Sequence, residues 1–198
     1  MITKSVIREE FKSVRKSLTY THLSQQAILV NLKKAFGEIL ETVVQDSLIV
    51  GLYNPIDDEV DVLPFFDWLA AKGIRFSIPK IKSKKSLDMD FILFKPGEET
   101  KKSIFSFFEP SSDEAIEPNI IILPLLACDM EGNRIGYGKG YYDKYLAKAK
   151  LAERSFITIG ICYEEQIYKG TLPKEAHDQN IGVIVTQKRI YYPSMAKY

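Results

Sequence analysis

Asn119-Ile-Ile-Ile-Leu-Pro-Leu-Leu-Ala127, followed after Cys128 by Asp129-Met-Glu-Gly-Asn-Arg-Ile-Gly-Tyr-Gly-Lys-Gly-Tyr-Tyr-Asp143, decides the fold. The first part is a continuous apolar run rich in isoleucine, the mark of a strand covered on both faces. The second is a glycine-rich basic loop, and from Tyr141 to Glu153 the pattern turns helical. A strand that passes into a helix through glycines collects anions. Glycines let backbone N–H groups approach a ligand, and the helix N-terminus adds unsatisfied donors and the positive end of a dipole. Phosphate is the first ligand to consider.

Downstream, Phe156 to Cys162 and Ile181 to Val185 read as buried strands, and Ile190 to Tyr192 as an edge. Upstream, a helix begins at Thr3, with Ile7, Phe11, Val14 and Leu18 at helical spacing and Lys4, Arg8, Lys12 and Arg15 along a second face. A second helix starts near Ser24, buries Ile28, Leu32, Ala35, Phe36 and Ile39, and ends before Asp46; Ser47 to Tyr53 is then a buried strand. Between Asp61 and Gly73 lie a capping residue, Pro64 in the first turn, an apolar face of Leu63, Phe66, Leu69 and Ala70, and a glycine stop. Ile74 to Pro79 and Asp90 to Phe94 are short strands, separated by Lys80-Ile-Lys-Ser-Lys-Lys, read as an exposed loop. Lys95 to Pro118 reads as irregular. Strands alternating with helices predict an α/β fold, a layered α/β/α arrangement with a mostly parallel central sheet.

At 198 residues with 45% hydrophobic content, the chain supports one sizeable core and is expected to be a single domain. Its formal net charge of +1 argues against a chain-wide field for nucleic acid or membranes, so any anion site must be built locally. No basic segment leads into an apolar signal run and no stretch is long enough to span a bilayer, so a cytoplasmic protein is expected. Cys128 and Cys162 lack CxxC spacing and histidine neighbours, and read as buried reduced thiols rather than metal ligands or a disulfide.

Within the loop, Gly132, Gly136, Gly138 and Gly140 free the backbone to present N–H groups, while Arg134 and Lys139 supply charge for phosphate oxygens. Asp143, in the first helical turn, either caps the helix or holds a divalent cation that bridges phosphates. Lys139 is followed by glycine, not Ser or Thr, which excludes the Walker pattern; the glycine spacing and late position exclude the dinucleotide fingerprint.

Leu-Pro-Leu-Leu-Ala-Cys-Asp129 and Gly132-Asn-Arg134-Ile-Gly-Tyr-Gly-Lys-Gly-Tyr-Tyr-Asp143-Lys-Tyr-Leu closely resemble the signature of the 5-formyltetrahydrofolate cyclo-ligases, also called methenyltetrahydrofolate synthetases. Lys4 to Arg8, Tyr53-Asn-Pro with Glu59-Val-Asp61, Glu109-Pro110 and His177-Asp178 fall in the order this family has them, so the resemblance runs over essentially the whole chain. Three departures stand out: Lys139 where glycine is frequent, Cys128 where an aromatic residue is common, and the aromatic run Phe105-Ser-Phe107-Phe108.

The resemblance implies an ATP- and Mg2+-dependent closure of 5-formyltetrahydrofolate to 5,10-methenyltetrahydrofolate, with ADP and phosphate released. It implies ATP binding by Lys4, Ser5, Val6, Ile7 and Arg8 and by Arg134, Ile135, Gly136, Tyr137, Gly138, Lys139, Gly140, Tyr141 and Tyr142, with Arg134 and Lys139 as the catalytic cations. The folate falls to Asn54 and Glu59 together with Tyr137, Gly138, Lys139, Gly140 and Tyr141, and Mg2+ to Asp143 and Asp178. The implied partners are the two small molecules, with neither nucleic acid nor membrane, and the implied state is a monomer. A non-catalytic nucleotide- or RNA-binding module, built on the loop and the basic stripe, is the alternative from another class. A sugar-phosphate isomerase or transferase on a similar layered fold is a second, and it would need no Mg-ATP.

Overall fold

The computed structural model describes residues 3–18, 22–43, 48–83, 85–95, 98, 100–102 and 108–193. Its centre is the apolar run Asn119–Ala127. Strand β6 (Ile120–Pro124) buries Ile120 and Ile122 against one helical layer and Ile121 and Leu123 against the other, as a two-residue period requires. Around it lies a seven-stranded sheet in the order β11-β10-β9-β6-β1-β2-β3, where β1 is Ile49–Gly51, β2 Arg75–Ser83, β3 Asp88–Phe94, β9 Ile157–Ile161, β10 Val183–Val185 and β11 Ile190–Tyr191. Strands β10 through β2 run parallel, and the two edges, β11 and β3, are antiparallel.

Helices α2 (His22–Leu40) and α3 (Leu63–Ala71) cover one face, joined by the edge-on contact of Phe36 and Phe65 with ring centroids 5.6 Å apart. Helix α4 (Tyr141–Leu151) covers the other through Tyr141, Tyr145 and Leu146. This is the expected layered α/β arrangement. Helix α2 buries the five residues its periodicity selects, Ile28, Leu32, Ala35, Phe36 and Ile39. In α3 the buried side is Phe65, Phe66 and Leu69, while Leu63 is turned out: Phe65 is the ring that meets Phe36, and the helix rotates to seat it.

Helix α1 (Lys4–Ser17) packs across the end of the sheet, burying Ile7 and Phe11 against Leu126, Ala127, Ile135 and Leu172. Its third buried residue is Arg15, not Val14, because the Arg15 guanidinium lies over the Tyr137 ring, 4.9 Å from its centroid.

Between α3 and β6 two readings of the sequence are corrected. Lys80 to Ser83, expected as a loop, continues β2 and pairs with β3, with Lys80 opposite Asp90 and Ile81 opposite Met89. Lysines can occupy such a strand because their long stems lie along it while the ammonium groups find carboxylates: Lys80 binds Asp113 at 2.9 Å, and Lys82 pairs with Asp90 across the strands. Lys95 to Pro118, expected to be irregular, contains the small antiparallel pair β4 (Thr100–Lys102) and β5 (Phe108–Pro110). The Glu109 carboxylate fastens it to the main sheet by accepting from the Ile81 N–H at 3.0 Å. Phe105 and Phe107, and Ser47 ahead of β1, lie outside the described residues.

The run Asn119–Ala127 divides at Pro124, which has no N–H for a ladder. Beyond it β7 (Ala127–Cys128) and β8 (Arg134–Ile135) form a two-residue antiparallel pair, so a small hairpin stands where a plain strand-to-helix loop was expected. Cys128 and Cys162 are buried free thiols with sulfurs 3.6 Å apart, and their mutual hydrogen bond, then burial, push the Cys128 thiol well above its ordinary range. Among the described residues no helix is long and apolar enough to cross a membrane.

Candidate active site

A cleft of about 590 Å³ opens at the carboxyl ends of the parallel strands. Its position follows from the strand order. The chain leaves β1 toward β2 on one side and returns through β6 on the other, and the loops that follow β1 and β6 diverge around a crevice. From β1 come Tyr53, Asn54, Ile56, Asp57 and Glu59. From β6, by way of the small hairpin, comes the stretch from Arg134 to Asp143, while Lys4 and Arg8 enter from α1 and Glu175, His177 and Asp178 from the segment before β10. The β2–β3 hairpin closes the remaining side with Pro79, Ile81 and Met89.

The glycines of the loop do different jobs. Gly138 has φ of +92°, and a Cβ there would stand 3.1 Å from Arg8 Cζ. Arg8 lies so close because its Nε donates to the Gly136 carbonyl at 2.9 Å, which docks α1 onto the loop. Gly140 is the N-cap of α4 in the left-handed region, φ 72°, with no side-chain cap. Gly132 is not in the cleft wall; a Cβ there would meet the Ile181 carbonyl oxygen at 2.5 Å. It permits a close backbone approach, not an anion contact.

Arg134, 9% exposed, ion-pairs through one terminal nitrogen with Asp143 Oδ1 at 2.5 Å, while its Nε is buried with no hydrogen-bond partner. A buried N–H left unmade is costly, so Arg134 holds an unmet donor beside the cleft that this residue lines. The Tyr137 hydroxyl is likewise buried and unpartnered. Lys4 Nζ lies 2.5 Å from Asp178 Oδ2 and 3.2 Å from Glu175 Oε1. The Asp178 carboxyl is held below its ordinary value: burial opposes that, but the Glu175 N–H and the Lys4 ammonium outweigh it.

On the β1 side, Glu59 is 9% exposed, accepts from the Ile56 N–H at 3.1 Å, and is pushed up to about 7. Burial is the cause; the Ile56 N–H and the Arg15 charge pull the other way. Its charge is felt at Tyr142, whose phenol is raised by burial and by Glu59 and lowered by Arg134, so this ring lies within the field of both.

The structure therefore brings Lys4, Arg8, Asn54, Glu59, Arg134, Ile135, Gly136, Tyr137, Gly138, Lys139, Gly140, Tyr141, Tyr142, Asp143 and Asp178 to one cleft. It does not bring Ser5, Val6 and Ile7 into the lining: on a helix only i and i+4 of this stretch face one way, so Val6 is exposed and Ile7 is buried in the core. The basic stripe of α1 is correspondingly divided. Lys4 and Arg8 face the cleft, Lys12 pairs with Glu9 at 2.7 Å, and Arg15 stacks on Tyr137. Arg15 carried a signal in the sequence, since it lies four residues beyond the buried Phe11. Pro79, Ile81 and Met89 carried none, because only the β2–β3 register brings them there.

Asp143 and Asp178, the two carboxylates expected to hold a divalent cation, both line the cleft. Each already faces a cation of the protein, and among the described residues no cluster of three or more His, Cys, Asp or Glu forms a cage. That donor set fits Mg2+ that arrives on a nucleotide, since Mg2+ keeps its waters and takes one or two carboxylates beside phosphate oxygens. Asp143 would supply one from the first turn of α4, and Asp178 the other.

The model of the 5-formyltetrahydrofolate cyclo-ligase family matches residues 1–187. A 5-formyltetrahydrofolate cyclo-ligase of Mycoplasma genitalium is 32% identical over 179 residues, 90% of either chain, and that of Mus musculus is 25% identical over 193 residues, 92% of either chain. Among solved structures, the NMR structure of Aquifex aeolicus 5,10-methenyltetrahydrofolate synthetase superimposes with a TM-score of 0.77 at 27% identity, over 100% of this chain and 96% of the other.

Proposed function

The chain belongs to the 5-formyltetrahydrofolate cyclo-ligase family of enzymes, and on that premise we propose that it closes 5-formyltetrahydrofolate to 5,10-methenyltetrahydrofolate at the expense of ATP, releasing ADP and phosphate. The observation that carries the reading is one cleft in which a buried arginine with an unused donor shares the lining with a buried carboxyl group. The first suits a phosphate, the second the N–H groups of a reduced pterin.

The chemistry explains why two ligands must meet. A formyl oxygen on N5 is a poor leaving group. Its attack on the γ-phosphorus breaks the bond to the bridging oxygen, ADP departs, and the formyl carbon becomes an iminium phosphate. N10 then attacks that carbon, its proton is lost, and phosphate leaves as the five-membered ring closes. Phosphoryl transfer needs positioning and neutralisation of charge more than covalent help. Arg134 and Lys139 supply the neutralisation, with Lys4 and Arg8 adding positive charge from α1. The stretch from Arg134 to Tyr142 follows the phosphates, and its Tyr137 to Tyr141 part also faces the folate. Glu59, with Asn54 from the same strand end, orients the pterin so that its formyl oxygen meets the γ-phosphate. Bound Mg2+ supplies further neutralisation of phosphate charge beside Asp143 and Asp178.

We further propose that the chain works as a single domain and a monomer in the cytoplasm, with the two small molecules as its partners. A spectrophotometric assay of 5-formyltetrahydrofolate, with and without Mg-ATP, tests the reading. The methenyl chromophore should appear only with both. A folded protein that gives no chromophore overturns the proposal, and binding of RNA that falls steeply with salt would put the binding module in its place.

A further inference from the structure

Asp129 touches no part of the cleft, yet it is fully buried and accepts four hydrogen bonds. Its Oδ1 accepts from the N–H groups of Glu131 and Asn133, both at 2.9 Å. Its Oδ2 accepts from Asn133 Nδ2 and from the N–H of Leu172, both at 2.8 Å. Three of these bonds build the turn between β7 and β8, and the fourth reaches a segment more than forty residues onward.

The junction is reinforced on the same line. The Ile181 N–H donates to the Gly132 carbonyl at 2.8 Å, and Asn180 Nδ2 donates to the Glu131 carbonyl at 3.0 Å and to Asn133 Oδ1 at 3.2 Å. Gly132, at φ +80°, lets these backbones meet. The two stretches joined here each carry part of the cleft. The turn runs directly into Arg134, and the segment from Leu172 to Ile181 carries Glu175 and Asp178, which hold Lys4.

We propose that Asp129 is the positioning residue of the ATP side: its carboxylate fixes Arg134 and the Lys4 counter-ions relative to one another, so two cations from different elements meet one triphosphate. The inference rests on the function proposed above and names a residue that function does not use. A carboxylate is needed because four donors converge on it. An asparagine offers one acceptor oxygen and two donors, so it can serve the turn or the Leu172 N–H but not both. Of the folate contacts proposed above, Glu59 and Asn54 hang from β1, on the other side of the crevice, and are independent of this junction, while the Tyr137 to Tyr141 part of the loop is also held from α1 by the Arg8 bond to the Gly136 carbonyl.

Asp129→Asn tests it, with circular dichroism and thermal unfolding to establish the fold. Wild type should bind a non-hydrolysable Mg-ATP analogue in a calorimeter, and the variant should bind it roughly tenfold more weakly or worse, as expected when a charge-assisted bond is lost. The KM for ATP should rise in step while that for folate stays within about twofold, and the Leu172 amide should exchange faster with deuterium. Unchanged affinity for the analogue, or equal rises in both KM values, overturns the inference. If Asp129→Asn does not fold, Asn180→Ala removes two bonds of the same junction and should weaken the analogue alone; no selective loss there is equally fatal. A wild type that binds no analogue overturns the function itself, and this inference with it.

Discussion

Replacing Glu59 by Gln removes an ionisation and almost nothing else, because the amide oxygen can still accept from the Ile56 N–H. Burial has raised this carboxyl from 4.5 to about 7, so the folded chain holds the proton more tightly than the unfolded chain does. Below pH 4.5 both states are protonated and the group is silent. As pH climbs from there toward 7 the unfolded chain ionises first, stability falls, and above 7 the whole penalty is in place. At about 1.4 kcal/mol per decade of pH, that interval sets a ceiling of ~3 kcal/mol, and the residual exposure of the group brings the expected value toward half of it. Urea unfolding of wild type and Glu59→Gln at steps from pH 4.5 to 8 reads the effect as a difference in which the other titrating groups cancel. The variant should gain on the wild type by about 1–2 kcal/mol across that range. A flat difference, or a wild type that gains on the variant, would refute the desolvation argument. Function should move oppositely: a pterin whose N–H groups donate to the carboxylate favours its ionised form, so binding below pH 7 should release a proton, and Glu59→Gln should raise the folate KM with little change for ATP.

Gly138→Ala places a side chain at φ +92° and against the Arg8 guanidinium, at a cost of about 1–2 kcal/mol for the left-handed backbone. Since Arg8 is the part free to give, its bond to the Gly136 carbonyl should be lost, and the ATP KM should rise several-fold; unaltered ATP kinetics in a stable variant would detach Arg8 from the site. Asp143→Ala releases Arg134 from its ion pair, and Asp178→Ala leaves Lys4 paired with Glu175 alone. Titrating Mg2+ at fixed ATP should show a higher Mg2+ requirement for both variants, and unchanged Mg2+ curves would leave these carboxylates as mere partners of the two cations.

How far the sequence could be read depended on the range of the forces that placed each residue. The first part of the apolar run, Ile120–Pro124, the buried face of α2 and the entry to α4 follow from local period and composition, and they stand where the pattern puts them. The β2–β3 hairpin was hidden because its lysines are satisfied by carboxylates on β3 and beyond β5, contacts no window of neighbouring residues contains. The burial of Arg15 shows in its spacing from Phe11, but its aromatic partner does not, since Tyr137 lies more than a hundred residues away. The glycine loop shows the limit most clearly. As letters, Gly132, Gly136, Gly138 and Gly140 look like one cradle for phosphate. In space Gly132 admits the Ile181 backbone, Gly138 makes room for Arg8, and Gly140 turns the chain into α4. An anion site here is thus less a property of flexible glycines than of the rigid contacts they permit. The loop should bind tightly only while α1 and the segment from Leu172 to Ile181 hold it from either side, which is why residues outside the cleft, Asp129 foremost, are expected to govern ATP more than folate.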